Sequence, residues 1–436
     1  MPNAPILQSC SGCYVFNPRA VVCSRCKEVD VYCDRSCQAK HWRTHKTYCE
    51  QSHMNCKSVA TSSQFRGLIA IESIKAGTKL RCKSSQSRAL VQPVLFGDLR
   101  NSRCAYCFGE GVIPPSSSKM IHRYCSTICE AKDVLGRMEN SVFAQLSDVP
   151  DPDPTVILAH RLAISIHMRG DIEAEVVKMV GNTPSSSASK VGERLLEMIN
   201  IFRGNPIYIQ TIQFPRKTDK CWDLSAATLL LSKISQNAVT MTDEEMNQLG
   251  IGIFPTLSTT NHSCEPNALQ SFTIGCNNSI PSLNLYASRN IASMEEVFIS
   301  YCDVGVPTLE RKTNLLETYK FTCDCLRCSN QDSIEASTYT EFRELEKEKL
   351  RALDAKDFQT ALTCSRKLLA PTQRIYGIDS IHYGIASLTR AKLELLMIEN
   401  PTSETMKLIV DAKEIFVRLY GENCDLVKQI RDNYCL

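Results

Sequence analysis

Apolar and polar positions alternate along FRGLIAIESIKAGTKL, residues 65 to 80, in the period of two that predicts a half-buried strand, with Gly77 at a turn before a second strand. The alternation returns in LYASRNIASMEEVFISYCD, residues 285 to 303. It runs through Leu285, Ala287 and Arg289, breaks at a turn, and resumes in VFISY. Between these strand regions the period changes. VILAHRLAISIHM and VGERLLEMINIF place apolar residues three and four apart, which predicts helices, and PDPDPT and TPSSSASK interrupt them as loops. SQNAVTMTDEEMNQLGIGIFP then reads as a helix end, a turn and an extended approach. From about residue 331 the chain is predicted helical to its end, beginning with the charged, amphipathic EFRELEKEKLRALDAKD. There RIYGIDSIHYGIASL is echoed 44 residues later by RLYGENCDLVKQI, which aligns Tyr376 with Tyr420. The whole pattern predicts an α+β protein with a β-rich centre, a helical insertion and a helical C-terminal region.

At 436 residues the chain has room for roughly two to four domains with their own cores. Its 43% hydrophobic and 22% charged content is that of an ordinary globular protein. Fifty basic against 47 acidic residues leave a formal charge of +3, without the surplus that would make nucleic acid an expected partner. No apolar run approaches the roughly 18 residues of a membrane-spanning helix. MPNAPILQSCSGC has no basic region followed by a long apolar stretch, so secretion is not expected. Cysteine changes the picture: there are 23, an odd number, and they cluster. Without a secretory signal, clustered cysteines point to zinc rather than disulfides, and to cytoplasm and nucleus as compartments. A monomer is the expected form.

Residues 10 to 49 hold four close pairs, Cys10-x2-Cys13, Cys23-x2-Cys26, Cys33-x3-Cys37 and His45-x3-Cys49. Each pair can seat two ligands on one tetrahedral ion, and the last two suit a short helix that brings i and i+4 to one face. Eight ligands mean two zinc ions. The pattern resembles the MYND zinc finger at every ligand position. That resemblance implies interleaved pairs, with Cys10, Cys13, Cys33 and Cys37 on one ion and Cys23, Cys26, His45 and Cys49 on the other, leaving His41 a non-ligand. Residues 1 to 57 carry eight Lys/Arg and four Asp/Glu, but zinc and thiolate charges bring the module close to neutral, so DNA is not the expected ligand. The resemblance implies protein interaction, with proline-rich peptides as candidate partners.

Further on, CAYC supplies Cys104 and Cys107, and RYCSTIC supplies Cys125 and Cys129, a set for one more zinc with GEGVIPPSSSK as a loop between. In NHSCEPN, His262 and Cys264 stand two apart, open to reading as a nucleophile with its base, half a metal site, or part of a cofactor loop. YKFTCDCLRC adds Cys323, Cys325 and Cys328, three ligands lacking a fourth. A Gly-containing hairpin, a MYND-type finger, then NHSCEPN, VFISY and CxCxxC together resemble the SET and MYND domain (SMYD) family of protein-lysine methyltransferases over nearly the whole chain.

That resemblance implies a MYND finger at 1–57, the N-terminal part of SET at 58–103 and a degenerate MYND-like zinc motif at 104–130. A helical SET insertion would follow at 131–220, the catalytic part of SET at 221–305, a post-SET zinc motif at 306–330 and a helical domain like tetratricopeptide repeats at 331–436. It implies about four zinc ions, with Cys264 completing the set of Cys323, Cys325 and Cys328. It also implies S-adenosylmethionine held by Arg66, Gly67, Asn237, Ser258, Asn261, His262, Tyr301, Tyr319 and Phe321, and a lysine of a histone or other protein as acceptor. Tyr301 is the expected catalytic residue, orienting the amine at the end of a narrow channel. The chemistry requires that arrangement: in-line displacement at a sulfonium needs alignment and exclusion of water. The lysine, with a reference pKa of about 10.4, must also enter as the neutral amine. Departures from the family pattern are Phe65 in place of a glycine, Val239 in place of an aromatic, Thr259 and Thr260 before Asn261, and Met294 before the paired glutamates. Phe65 and Val239 motivate the alternative of a catalytically weak adaptor that recruits partners. A cysteine hydrolase built on Cys264 and His262 is a third reading.

Overall fold

In a computed structural model that describes residues 10, 13, 21–23, 31–45, 54–60, 66–82, 88–114, 120–145, 153–168, 170–181, 186–205, 222–275, 278–329, 334–397, 402–422 and 424–434, the backbone divides into two compact units. One comprises Met1–Met54, Arg81–Thr259 and Phe272–Asn284; the other comprises Asn55–Leu80, Thr260–Ser271 and Leu285–Leu436.

The first unit opens with the finger. Val21–Val22 pairs antiparallel with Val31–Tyr32, and the expected helix follows at Arg35–His45. Asp34 starts that helix by accepting the Cys37 amide at 2.8 Å, a bond that holds the Asp34 carboxyl below its ordinary range. The helices expected at 131–235 are present as Pro154–Met168, Gly170–Lys178, Ser186–Arg203 and Leu224–Asn237. Their apolar stripes bury Ile157, Leu158, Leu162, Leu195, Phe202 and Ile234 in one core, at about 2 kcal/mol for each side chain removed from water. After the expected helix end at Asn237 the chain forms a strand, Ala238–Thr242, that the sequence reading did not include; it pairs antiparallel with the extended approach at Gln248–Ile253, and Val94–Leu95 lies on the far edge. A charged centre sits inside this apolar unit. Arg161, 1% exposed, donates to Glu139 at 2.6 Å, to the Pro93 carbonyl at 2.9 Å, and shares Glu139 with His122. Burial alone would raise the Glu139 carboxyl; Arg161 and the two histidines His122 and His160 outweigh it and hold it well below the usual range.

The second unit carries a four-stranded sheet in the order Cys56–Ala60, Arg66–Ala70, Glu296–Ile299, Asn261–His262. The first three are antiparallel neighbours, while Glu296–Ile299 and Asn261–His262 run parallel, with Phe298 opposite Asn261 and Ile299 opposite His262. Gly77, at φ +78°, makes the expected turn, and its amide donates to the Ala287 carbonyl at 2.7 Å. The helical C-terminal region is built from Ala336–Asp354, Phe358–Tyr376, Ile381–Met397, Ser403–Tyr420 and Asp425–Tyr434, each packed on the next in sequence. No helix among the described residues is long and apolar enough to cross a membrane.

Met294 shows what its departure from glycine costs. It holds φ at +66° in the turn closed by the Glu295 amide on the Ala292 carbonyl, and its side chain is 63% exposed, so it packs on little. A left-handed residue with a Cβ costs roughly 1–2 kcal/mol, partly offset by glycine's greater freedom in the unfolded chain. Met294→Gly is therefore expected to raise the unfolding free energy by about 0.5–1 kcal/mol in urea denaturation; an unchanged or lower midpoint would contradict this.

Candidate active site and zinc centres

The parallel strand pair sets Tyr301 beside the NHSC segment. The Tyr301 amide donates to His262 Nδ1 at 2.9 Å, and the Ser263 amide donates to the Ile299 carbonyl at 2.9 Å. Burial, with the Arg311 guanidinium, lowers the His262 pKa to about 4, so the imidazole is neutral. With Nδ1 accepting, Nε2 carries the proton and faces Cys264 Sγ at 3.3 Å. His262 thus links the Asn261–His262 strand to Cys264, and with Nε2 carrying its proton it is no free base for a cysteine nucleophile.

The Tyr301 hydroxyl donates to the Thr260 carbonyl at 2.6 Å. Burial, then Tyr319 and Glu296, push its pKa above the ordinary phenol value, so it stays protonated at neutral pH. Around it stand three more rings: Tyr319 at 4.8 Å between centroids, His262 at 5.4 Å and Phe321 edge-on at 6.5 Å. The Asn261 amide donates to Glu296 at 2.7 Å. Arg66 and Gly67 lie on the Arg66–Ala70 strand, Arg66 exposed and Gly67 buried opposite Val59. Phe65 lies outside the described residues. Asn237 and Ser258 belong to the other compact unit. There the Asn237 amide donates to the carbonyls of Val180 and Lys233 at 2.9 and 2.8 Å, and the Ser258 hydroxyl to that of Phe254 at 3.4 Å. Val239 is half-buried in its strand, opposite Gly252.

Among the described residues three groups of four cysteines converge. Cys264, Cys323, Cys325 and Cys328 have all four sulfurs within 4.8 Å of one another, as do Cys10, Cys13, Cys33 and Cys37, and Cys104, Cys107, Cys125 and Cys129. Sulfur pairs at 3.5 Å (Cys264 and Cys328), 3.6 Å (Cys125 and Cys129) and 3.7 Å (Cys13 and Cys33) lie close to the roughly 3.8 Å edge of a tetrahedron of 2.3 Å zinc–sulfur bonds. Four sulfurs this close form a donor set for one cation. Burial and then Cys264 push the Cys328 thiol up to about 11, while for Cys325 burial is outweighed by the amides of Cys328 and Cys264, bringing it down to about 7. In the first finger His41 bonds the Tyr32 hydroxyl at 3.1 Å and is not part of the Cys10, Cys13, Cys33 and Cys37 group. Of the second ion's set only Cys23 is described, buried and accepting from Gln38 at 3.1 Å; Cys26, Cys49 and the His45 side chain lie outside the described residues.

The SET domain family matches residues 65–302, more than half of the chain, and the MYND finger family matches residues 8–49. The chain belongs to the SET domain family. With the finger it falls in the SET and MYND branch. Its relatives include the N-lysine methyltransferase SMYD2 of Sus scrofa, 26% identical over 284 residues, which cover 60% of this chain and 62% of that protein. SMYD2-A of Danio rerio is 27% identical over 278 residues, 62% of this chain and 59% of the relative. SMYD2-B of Xenopus laevis is 29% identical over 243 residues, 55% and 53% of the two chains. The likeness thus spans between half and just over three fifths of each relative's length.

Sequence reasoning assigned no role to four groups that hold this SET site. Thr260 supplies the carbonyl for Tyr301, and Glu296 receives Asn261. Cys302 joins His262 and Cys264 in a further group of donor atoms within 4.8 Å. Asn267, fully buried, donates to the Glu296 carbonyl at 2.8 Å and accepts the Phe298 amide at 2.7 Å. Only Asn267 had a sequence signal: it is the last residue of NHSCEPN, a short amide after proline, suited to bonding nearby backbone.

Proposed function

We propose that this protein transfers a methyl group from S-adenosylmethionine to the side-chain amine of a lysine in a protein substrate, histone or non-histone. The observation that carries the reading is the ring cluster around Tyr301, with its hydroxyl turned to the Thr260 carbonyl and its amide on His262. Faces of Tyr301, Tyr319 and Phe321 attract cations, which suits a sulfonium. Within the second unit, Arg66, Gly67, Asn261, His262, Tyr301, Tyr319 and Phe321 are the residues we assign to cofactor binding, and Asn237 and Ser258 are assigned to it on the family resemblance alone. S-adenosylmethionine supplies the electrophilic methyl when bound.

Tyr301 spends its only proton on Thr260, so the lone pairs of its hydroxyl are left to accept an N–H of the lysine and to aim the nitrogen. The apolar ring surroundings favour the neutral amine and keep water from competing. The finger at 8–49 is read as the partner-binding element, with proline-rich peptides as its ligands, and the chain as a monomer of cytoplasm and nucleus. The catalytic segment remains assigned to 221–305 and the post-SET zinc motif to 306–330. Incubation with methyl-labelled S-adenosylmethionine and a protein mixture containing histones is expected to place label on protein; absence of label from every protein would contradict the reading.

A further inference from the structure

The echo in the C-terminal region becomes two alike corners. Arg374-Ile375-Tyr376-Gly377 ends the Phe358–Tyr376 helix, and Arg418-Leu419-Tyr420-Gly421 ends the Ser403–Tyr420 helix. Both glycines hold positive φ, +87° and +85°, and both amides bond back four residues at 2.9 Å, to Gln373 and Val417. Each corner then meets the strands and loops of the same unit differently. Tyr420 meets Tyr286 edge-on at 6.4 Å, and the Arg418 carbonyl lies where a side chain on Gly77 would have to go. The Arg418 guanidinium bonds Asp379 at 2.8 Å, tying the second corner to the first.

Tyr376 reaches the segment that follows Tyr301. Its ring stacks on His382 at 3.9 Å and 13° and takes Phe342 edge-on at 5.7 Å. Its hydroxyl donates to Asp303 Oδ1 at 3.2 Å, and the same oxygen accepts the Gly305 amide at 2.7 Å. Gly305 is fitted to that hydroxyl, since any Cβ there would collide with it. Next along the chain, the Val304 carbonyl accepts from Arg327 at 3.2 Å and the Val306 carbonyl from Arg311. Both guanidiniums also reach the Tyr339 hydroxyl, at 2.9 and 3.4 Å. Arg327 lies between the zinc ligands Cys325 and Cys328. The peptide from Tyr301 to Val306 is therefore fixed on one side by His262 and on the other by side chains of the zinc knuckle and the helical region.

We propose that Tyr376 is a positioning residue: through Asp303 it fixes the segment that presents the Tyr301 hydroxyl, so the helical region helps set the geometry of transfer. The proposal rests on Tyr301 acting in methyl transfer. A misplacement of about 1 Å in such a group can cost up to a hundredfold in rate, which makes a single distant hydroxyl measurable.

Tyr376→Phe removes one oxygen and leaves the ring against His382 and Phe342. In the chain without cofactor, amide hydrogen exchange over residues 301–306 is expected to speed by about threefold or more, with the helices 336–354 and 381–397 unchanged. The kcat for methyl transfer is expected to fall about tenfold, with KM for S-adenosylmethionine unchanged. Asp303→Asn keeps a carbonyl acceptor and is expected to retain most of both. Unchanged exchange, faster exchange spread over the helices, or an unaltered kcat would each overturn the proposal. Should the unaltered chain transfer no methyl group, that reading fails separately, and exchange alone decides whether Tyr376 holds the segment.

Discussion

Tyr301→Phe is expected to bind S-adenosylmethionine with unaltered affinity and to transfer the methyl group about a hundredfold more slowly. The phenylalanine keeps the ring among His262, Tyr319 and Phe321, and the backbone amide still donates to His262 Nδ1. What is lost is the hydroxyl, anchored on Thr260, to which we assign the aiming of the amine. The effect should fall on kcat, because the oxygen acts on the reacting nitrogen and not on the adenosine end of the cofactor. Binding by calorimetry and initial rates with labelled cofactor check the two halves of this statement. A kcat within threefold of the unaltered chain would remove Tyr301 from the chemistry.

Cys264→Ser is expected to release one zinc per chain and to unfold the segment around residues 319–329. Four thiolates on one zinc contribute on the order of 10 kcal/mol to a small fold, and the Cys323, Cys325 and Cys328 knuckle contains only a four-residue helix, Leu326–Ser329, to hold it otherwise. Tyr319 and Phe321 precede that knuckle directly, so their rings would leave Tyr301, and transfer would be lost along with the metal. Elemental analysis of the purified variant, with hydrogen exchange over 319–329, reads both effects. Full zinc content with unchanged protection would show that Cys264 is not the fourth ligand.

The zinc centres were legible because ligand spacing is local: CAYC with RYCSTIC, and CDCLRC, announce their chemistry within a few residues, and the sulfurs do converge. The strand at VFISY and the Gly77 turn were legible from alternation and one glycine. The pairing of NHSC with VFISY was not, since a parallel contact between residues 37 positions apart leaves no periodic trace and entered only through the family resemblance. Neither was the bond from Tyr301 to the Thr260 carbonyl, because any residue can supply a carbonyl. The Arg161 and Glu139 centre is hidden for a related reason: in VILAHRLAISIHM the arginine reads as a polar position on a helix, and its burial depends on partners from three other segments. The repeat of Tyr376 and Tyr420 was visible as a pattern, but the difference in what each tyrosine touches belongs to tertiary structure alone.

Mass spectrometry of proteins incubated with this chain and S-adenosylmethionine carrying a trideuterated methyl group tests the central claim most directly. The result expected is a trideuteromethyl group on a lysine side-chain nitrogen, at a level that falls in Tyr301→Phe. Label on no lysine, or equal label with Tyr301→Phe, would contradict it.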